Sequence, residues 1–246
     1  MNTVTIDIGN SSTKIEFWAD NGFLFRESCG NISIDKLILS LERYSVRGII
    51  ISAVKEYSEN LIKSLKEKTD CLTVVFNNEE IQKYYNLSHY NSNVGPDRIA
   101  AVLGANVLCP DISKLVIDLG TAITLDLVDK KGIFCGGNIS LGLFSRLKSL
   151  YSSTDKLPYV DNLKYVRPFG EDTVSAIEAG ARNGVIGEIL YTIDLAIIEK
   201  DIKLVVVTGG DAKWIYPFIQ KKIEGLYDPY LVGRGLDHHL RTFYLN

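Results

Sequence analysis

The sequence predicts an α/β protein made of two related domains, and three observations predict it. A strand running into an Asp-x-Gly-polar turn occurs once in each half, as Ile6-Asp7-Ile8-Gly9-Asn10 and as Ile117-Asp118-Leu119-Gly120-Thr121. Each copy is followed by a returning strand and a third strand, and then by alternating helical and strand periodicities. With 46% of its 246 residues apolar, the chain can bury a substantial core without disulfides or oligomerisation. Self-similarity on the scale of a half-chain points to duplicated domains sharing a cleft.

The elements follow in order. Val4 to Ile8 is apolar and β-branched around one aspartate and reads as a buried strand. Gly9-Asn10-Ser11-Ser12 is a turn cluster, Lys14 to Trp18 alternates like a returning strand, and Asp20-Asn21-Gly22 turns the chain into Phe23-Leu24-Phe25. Helical spacing over 34–44 and about 59–68 brackets a strand at 48–54, and another strand lies near 72–76. Residues 86–96 are polar and turn-rich and form a loop. From Asp97 to Leu108 a broad apolar face predicts a helix, which Cys109-Pro110-Asp111 ends because proline cannot continue it. The domain boundary falls there, giving 1–110 and 111–246. The second half restarts with strands at 115–121, 124–128 and 133–135 and helices over about 141–151 and 173–199. A strand over 204–207 then ends in Thr208-Gly209-Gly210. His238 and His239 lie in the tail, where a surface position is expected.

Composition narrows the function classes. Net charge is −3 and the basic residues are dispersed, so the basic stripe of a nucleic-acid binder is missing and no nucleic-acid partner is expected. Lys63, Lys66 and Lys68 alternate with Leu61, Ile62 and Leu65 as the outer face of an amphipathic helix. The four cysteines have no Cys-x-x-Cys spacing, which suits a reducing cytoplasm and argues against a disulfide framework or thiolate zinc. The start reads directly as a strand and not as a signal peptide. No apolar run approaches the roughly 20 residues of a membrane helix, so no membrane partner is expected. The partner implied is a small molecule.

The two Asp-x-Gly turns carry phosphate chemistry. Glycine lets a bulky anion approach the backbone, and the turn amides with Asn10, Ser11 and the Thr121 hydroxyl form an anion-binding nest. An aspartate beside phosphate makes sense where magnesium or a monovalent ion stands between carboxylate and phosphate oxygens. Lys14 adds positive charge, although a solvent-facing lysine fits the same spacing. One such turn is an ordinary hairpin; two after matching buried strands are a device. Gly209-Gly210 at a strand end suits close passage of a nucleotide over backbone, and Gly136-Gly137-Asn138 reads as a further glycine turn. There is no Gly-x-x-x-x-Gly-Lys-Ser/Thr and no Gly-x-Gly-x-x-Gly, so neither a P-loop nor a dinucleotide fold is read.

Gly95-Pro96-Asp97-Arg98 is the second focus. Asp97 opens a helix, where the dipole favours its ionised form and where an aspartate also serves as a plain cap. Arg98 offers a fork for a substrate carboxylate. Phosphoryl transfer to an alcohol needs a carboxylate for the hydroxyl proton and positioning of both substrates, and Asp97 with Arg98 fits those two tasks. The histidines His89, His238 and His239 have no metal-ligand spacing, and no Gly-x-Ser-x-Gly elbow is present.

In order along nearly the whole chain, Asp7-Ile8-Gly9-Asn10-Ser11, Gly95-Pro96-Asp97-Arg98, Asp118-Leu119-Gly120-Thr121-Ala122, Gly136-Gly137-Asn138-Ile139, Lys156-Leu157-Pro158, Glu171-Asp172-Thr173 and Thr208-Gly209-Gly210 resemble the motifs of type III pantothenate kinases. These belong to the acetate and sugar kinase, Hsp70 and actin superfamily. The resemblance implies duplicated ribonuclease H-like (actin-like ATPase) domains, each a mixed five-stranded sheet with helices, and an active cleft between them. It implies ATP, with Mg2+, against Asp7, Ile8, Gly9, Asn10, Ser11, Ser12, Thr13 and Lys14 and against Gly120, Thr121, Gly209 and Gly210. It implies a monovalent cation (K+ or NH4+) at Asp118. Pantothenate would lie against Gly95, Pro96, Asp97 and Arg98, with Asp97 accepting its hydroxyl proton. Tyr90 is the nearest match to a substrate-touching tyrosine of the family, and Thr173 would complete the pocket of a neighbouring subunit in a homodimer. Two departures stand out: Ser11 replaces the usual threonine, and Leu141-Gly142 stands where the family has Pro-Gly. The alternatives are a regulatory accessory factor of the same family and a kinase of the superfamily acting on another hydroxy compound.

Overall fold

The computed structural model describes residues 1–9, 12–29, 33–53, 58–85, 94–164 and 167–245. The chain begins as the expected meander of β1 (Asn2–Ile8), β2 (Thr13–Ala19) and β3 (Gly22–Cys29). Then come α1 (Ile34–Arg43), β4 (Val46–Ala53), α2 (Ser58–Lys68), β5 (Leu72–Val75), α3 (Asn78–Tyr84) and α4 (Pro96–Leu108). The strands form one sheet in the order β3-β2-β1-β4-β5. β2 runs antiparallel to β1 and β3, while β4 is parallel to β1 and β5 to β4.

The second sheet repeats this plan. β6 (Lys114–Leu119), β7 (Ala122–Val128) and β8 (Phe134–Leu141) lead to α5 (Leu143–Ser152), α6 (Thr173–Lys200), β9 (Leu204–Thr208), α7 (Ala212–Ile219) and β10 (Gly225–Tyr227). The order β10-β9-β6-β7-β8 is the first sheet read from its other edge. α8 (Leu231–Tyr244) closes the series.

By contacts the chain divides into two compact units, one of residues 1–110, 132–134 and 230–246 and one of 111–131 and 135–229. This differs from the expected 111–246 half, because α8 packs on β1, β4 and α4. The reason is written in glycines. A Cβ on Gly235 would overlap the Ala100 carbonyl of α4, and one on Gly104 would overlap the Leu231 carbonyl of α8. The two helices meet backbone to backbone, which only glycine permits.

Strand period 2 sorts the first sheet into two faces. Val4, Ile6, Ile8, Ile15, Phe17, Ile49 and Ile51 pack with Leu37 and Leu41 of α1 and with Leu61 and Leu65 of α2. Each such side chain removed from water contributes roughly 1.5–3 kcal/mol. The opposite face carries Thr3, Thr5, Asp7, Lys14, Glu16 and Trp18; α8 lies across it, and Thr3, Thr5, Glu16 and Trp18 are buried while Asp7 and Lys14 stay partly open. In the second unit, Leu115, Ile117, Leu119, Val205 and Val207 pack against α5, α6 and α7. α6 begins with a capping box, Asp172 accepting from the Ser175 amide at 2.8 Å and Ser175 Oγ accepting from the Asp172 amide at 3.0 Å.

Two expectations change. His239 is fully buried and not on the surface. Its Nδ1 is 2.8 Å from the Tyr85 hydroxyl and its Nε2 is 2.9 Å from Glu80 Oε1, which ties α8 to α3. Gly136-Gly137-Asn138 is not a turn; it lies within β8, with Gly136 at φ +121°.

Candidate active site

In the first unit, β1 presents Asp7 at its end and β2 returns Lys14 directly opposite. Between them the Gly9 amide donates to the Ser12 carbonyl at 3.1 Å; Ser12 is exposed and Thr13 buried beside Ile8. Lys14 Nζ stands 3.6 Å from Asp7 Oδ2. Burial pushes the Asp7 carboxyl above its ordinary value; Lys14 pulls it down and the charge of Asp97 pushes it up again. Asp97 thus stands within electrostatic range of Asp7 on β1. Asn10, Ser11 and Tyr90 lie outside the described residues.

Asp97 is held by the start of α4. Gly95 is the N-cap and Pro96 sits in the first turn, where proline's missing N–H costs nothing. The Arg98 amide donates to Asp97 Oδ1 at 2.9 Å. A Cβ on Gly95 would stand 2.5 Å from that oxygen, so glycine there keeps the carboxylate in place. Arg98 is buried, its guanidinium 5.4 Å from the centre of the Phe134 ring.

In the second unit, Asp118 lies one residue before the end of β6, beside Thr124 of β7 and Thr208 of β9. Three hydrogen bonds from two segments lock the turn that follows. The Leu119 carbonyl accepts from the Asp211 amide at 2.9 Å; the Thr121 carbonyl accepts from the Gly142 amide at 3.0 Å and from Ser145 Oγ at 2.6 Å. Gly142 and Gly209 are where backbone passes backbone: a Cβ on either would overlap the Leu119–Thr121 main chain, and Gly209 has φ +99°. Gly210 beside it has nothing within 4 Å of its missing side chain. So Asp118, Gly120, Thr121, Gly209 and Gly210 form one constellation, with Gly210 and Thr121 exposed. Thr173 opens α6 and, with Arg146, Leu150, Leu157, Ala176 and Gly180, lines a groove.

Sequence reasoning missed two acids here. Asp211, directly after Thr-Gly-Gly, is pushed up to about 6 by burial. Glu16, two residues beyond Lys14, is interior and pushed up to about 7, with Arg26 opposing the burial. Their signal was position alone, an acid beside each phosphate motif.

Two mixed sheets of one order, each led by a strand–Asp-x-Gly hairpin, make up the duplicated ribonuclease H-like fold of the actin-like ATPases and sugar kinases. Among solved structures the chain is similar to a Campylobacter jejuni protein described as a Baf family transcriptional activator (22% identity, TM-score 0.62, covering 97% of this chain and 98% of that one). It is also similar to a ROK family glucokinase from Streptomyces griseus in complex with glucose and AMPPNP (13% identity, TM-score 0.55, all of both chains). At those identities the likeness bears on fold alone. The sequence profile of the type III pantothenate kinases matches residues 3–194. The type III pantothenate kinase of Phocaeicola vulgatus is 37% identical over 239 residues, 96% of each chain. The chain belongs to the type III pantothenate kinase family.

Proposed function

We propose that this chain transfers the γ-phosphoryl group of ATP to the primary hydroxyl of pantothenate, forming 4′-phosphopantothenate, the first step towards coenzyme A. The observation that carries the reading is the Asp97 carboxylate, set at the N-terminus of α4 and close enough to raise the pKa of Asp7 on the phosphate strand. In the transfer the hydroxyl oxygen bonds to the γ-phosphorus as the bond to the β–γ bridging oxygen breaks. ADP keeps that electron pair, and the hydroxyl proton passes to Asp97.

In the first unit Asp7, Ile8, Gly9, Ser12, Thr13 and Lys14 receive phosphate, and Gly95, Pro96 and Arg98 position the acceptor. In the second, Gly120, Thr121, Gly209 and Gly210 receive nucleotide. Magnesium enters with ATP. Asp118, in register with Thr124 and Thr208, offers an oxygen ligand that suits a monovalent cation such as K+ or NH4+. A homodimer is supported by exposed apolar residues along α6, Val174, Tyr191 and Ile198, with Thr173 at its head. No described helix is long and apolar enough to cross a membrane, and the reading places the protein in the cytoplasm.

The test is direct. Purified protein with ATP, magnesium, potassium and pantothenate is expected to yield 4′-phosphopantothenate by mass spectrometry. No product, in parallel with an active relative, overturns the reading.

A further inference from the structure

Glu16 has no part in the transfer just described, yet it is built into the same strand. It lies two residues from Lys14 on the same face of β2, opposite Thr5 on β1 and Arg26 on β3. It is 1% exposed. Its Oε1 accepts from Arg26 Nε at 2.8 Å and from Arg26 Nη2; its Oε2 is 3.5 Å from Thr5 Oγ1. α8 seals it from above, where a Cβ on Gly233 would overlap Oε2. Arg26 is fixed in turn, its guanidinium 4.6 Å from the centre of the Tyr230 ring, which stacks on Phe23 at 3.7 Å.

The charges around this carboxylate are those of the phosphate strand. Arg26, Lys14 and Asp7 all act on it; from α8, Arg234 lies over the neighbouring Trp18 ring and Asp237 hydrogen-bonds Thr3 on the same face. Lys14 is thus shared between two acids, one at the turn and one behind it.

We propose that Glu16 is a positioning residue of the phosphate site, one that competes with bound phosphate for the positive field of Lys14 and Arg26. Ionised, it absorbs that field; protonated, it leaves the field to the anion. Burial pushes Glu16 up to about 7, so the exchange occurs near neutrality, and binding of a polyphosphate takes up a proton from solvent. The inference rests on the reading of Asp7 to Lys14 as the nucleotide cradle.

Glu16→Gln keeps the shape and fixes the neutral form. ADP binding is measured by calorimetry for wild type and variant from pH 6 to 8.5, with circular dichroism as the check on folding. The ionisation of ADP is common to both proteins and cancels in the ratio of their affinities. Wild type should match the variant at pH 6 and bind about threefold to tenfold more weakly at pH 8.5, the effect of one added charge two residues along the strand from Lys14. Arg26→Gln, which removes the cation that best stabilises ionised Glu16, should move the wild-type transition to higher pH; this variant decides the matter if Glu16→Gln does not fold. A ratio constant across the range, or a transition unmoved by Arg26→Gln, overturns the proposal and leaves the nucleotide reading standing. Absence of ADP binding by wild type at pH 6 overturns both.

Discussion

Across the β1–β2 pair, Lys14 Nζ stands 3.6 Å from Asp7 Oδ2, and about a third of the Lys14 side chain remains open to solvent. The separation is that of a loose ion pair, so the ammonium can turn to an incoming anion while still neutralising the aspartate. Lys14→Met is expected to raise the KM for ATP about tenfold with a smaller effect on kcat. Initial rates against ATP concentration check this; an unchanged KM would place Lys14 outside the cradle.

Asp97→Asn retains a side chain able to accept from the Arg98 amide but removes the proposed proton acceptor. Turnover should fall by roughly 10²- to 10⁴-fold while ATP affinity and the thermal midpoint stay near wild type. Single-turnover kinetics and nucleotide titration separate the two effects, and a variant that still turns over at wild-type rate would dismiss Asp97 as base.

Stability should depend on pH in two opposed ways. Glu16 has a folded pKa raised from 4.5 to about 7. Above pH 4.5 the unfolded chain gives up this proton while the fold keeps it, so stability declines up to about pH 7, by roughly 3 kcal/mol. His239 runs the other way. Burial holds its imidazole below 6.5, so as the pH drops below 6.5 the unfolded chain is protonated first and the fold loses stability. Urea unfolding at several pH values should show the slope of Glu16→Gln more positive than that of wild type, and that of His239→Gln less positive. Parallel curves would refute the assignments.

Gly209 and Gly210 are adjacent and should respond oppositely. Gly209→Ala places a Cβ into the Leu119 backbone at φ +99° and should cost about 3 kcal/mol or more. Gly210→Ala meets nothing and should leave thermal stability within about 0.5 kcal/mol, yet weaken nucleotide binding if the nucleotide passes over it. Equal melting temperatures for the two variants would contradict the packing.

Much of this arrangement was legible from residues alone. β1, β2, β6 and β7 announce themselves by apolar period and by turn residues, and the paired Asp-x-Gly motifs mark the two strand–turn pairs proposed to receive phosphate. Other parts were hidden for physical reasons. α8 carries Leu231, Val232, Leu236 and Leu240 at helical spacing, but Gly233 and Gly235 weaken its local propensity; they are there because α8 presses on Glu16 and on α4. α7 contains Pro217 within its span, which reads as a helix breaker. Glu16 sits in the alternation Lys14-Ile15-Glu16-Phe17, which implies a solvated outer face. Only the returning α8 covers that face, and no local pattern encodes it. For the same reason His239 read as surface.

That return has a consequence for biosynthesis. On the polar face of the first sheet, Glu16, Thr3 and Thr5 are sealed by α8, whose residues are translated after the entire second unit. A ribosome-bound chain lacking α8 therefore exposes Trp18 and the Glu16 side of β2, and the first unit synthesised is the last to be completed. Native contacts that span nearly the whole length of a chain close slowly, so the kinase should bury Glu16 late in folding, after the second sheet has already formed.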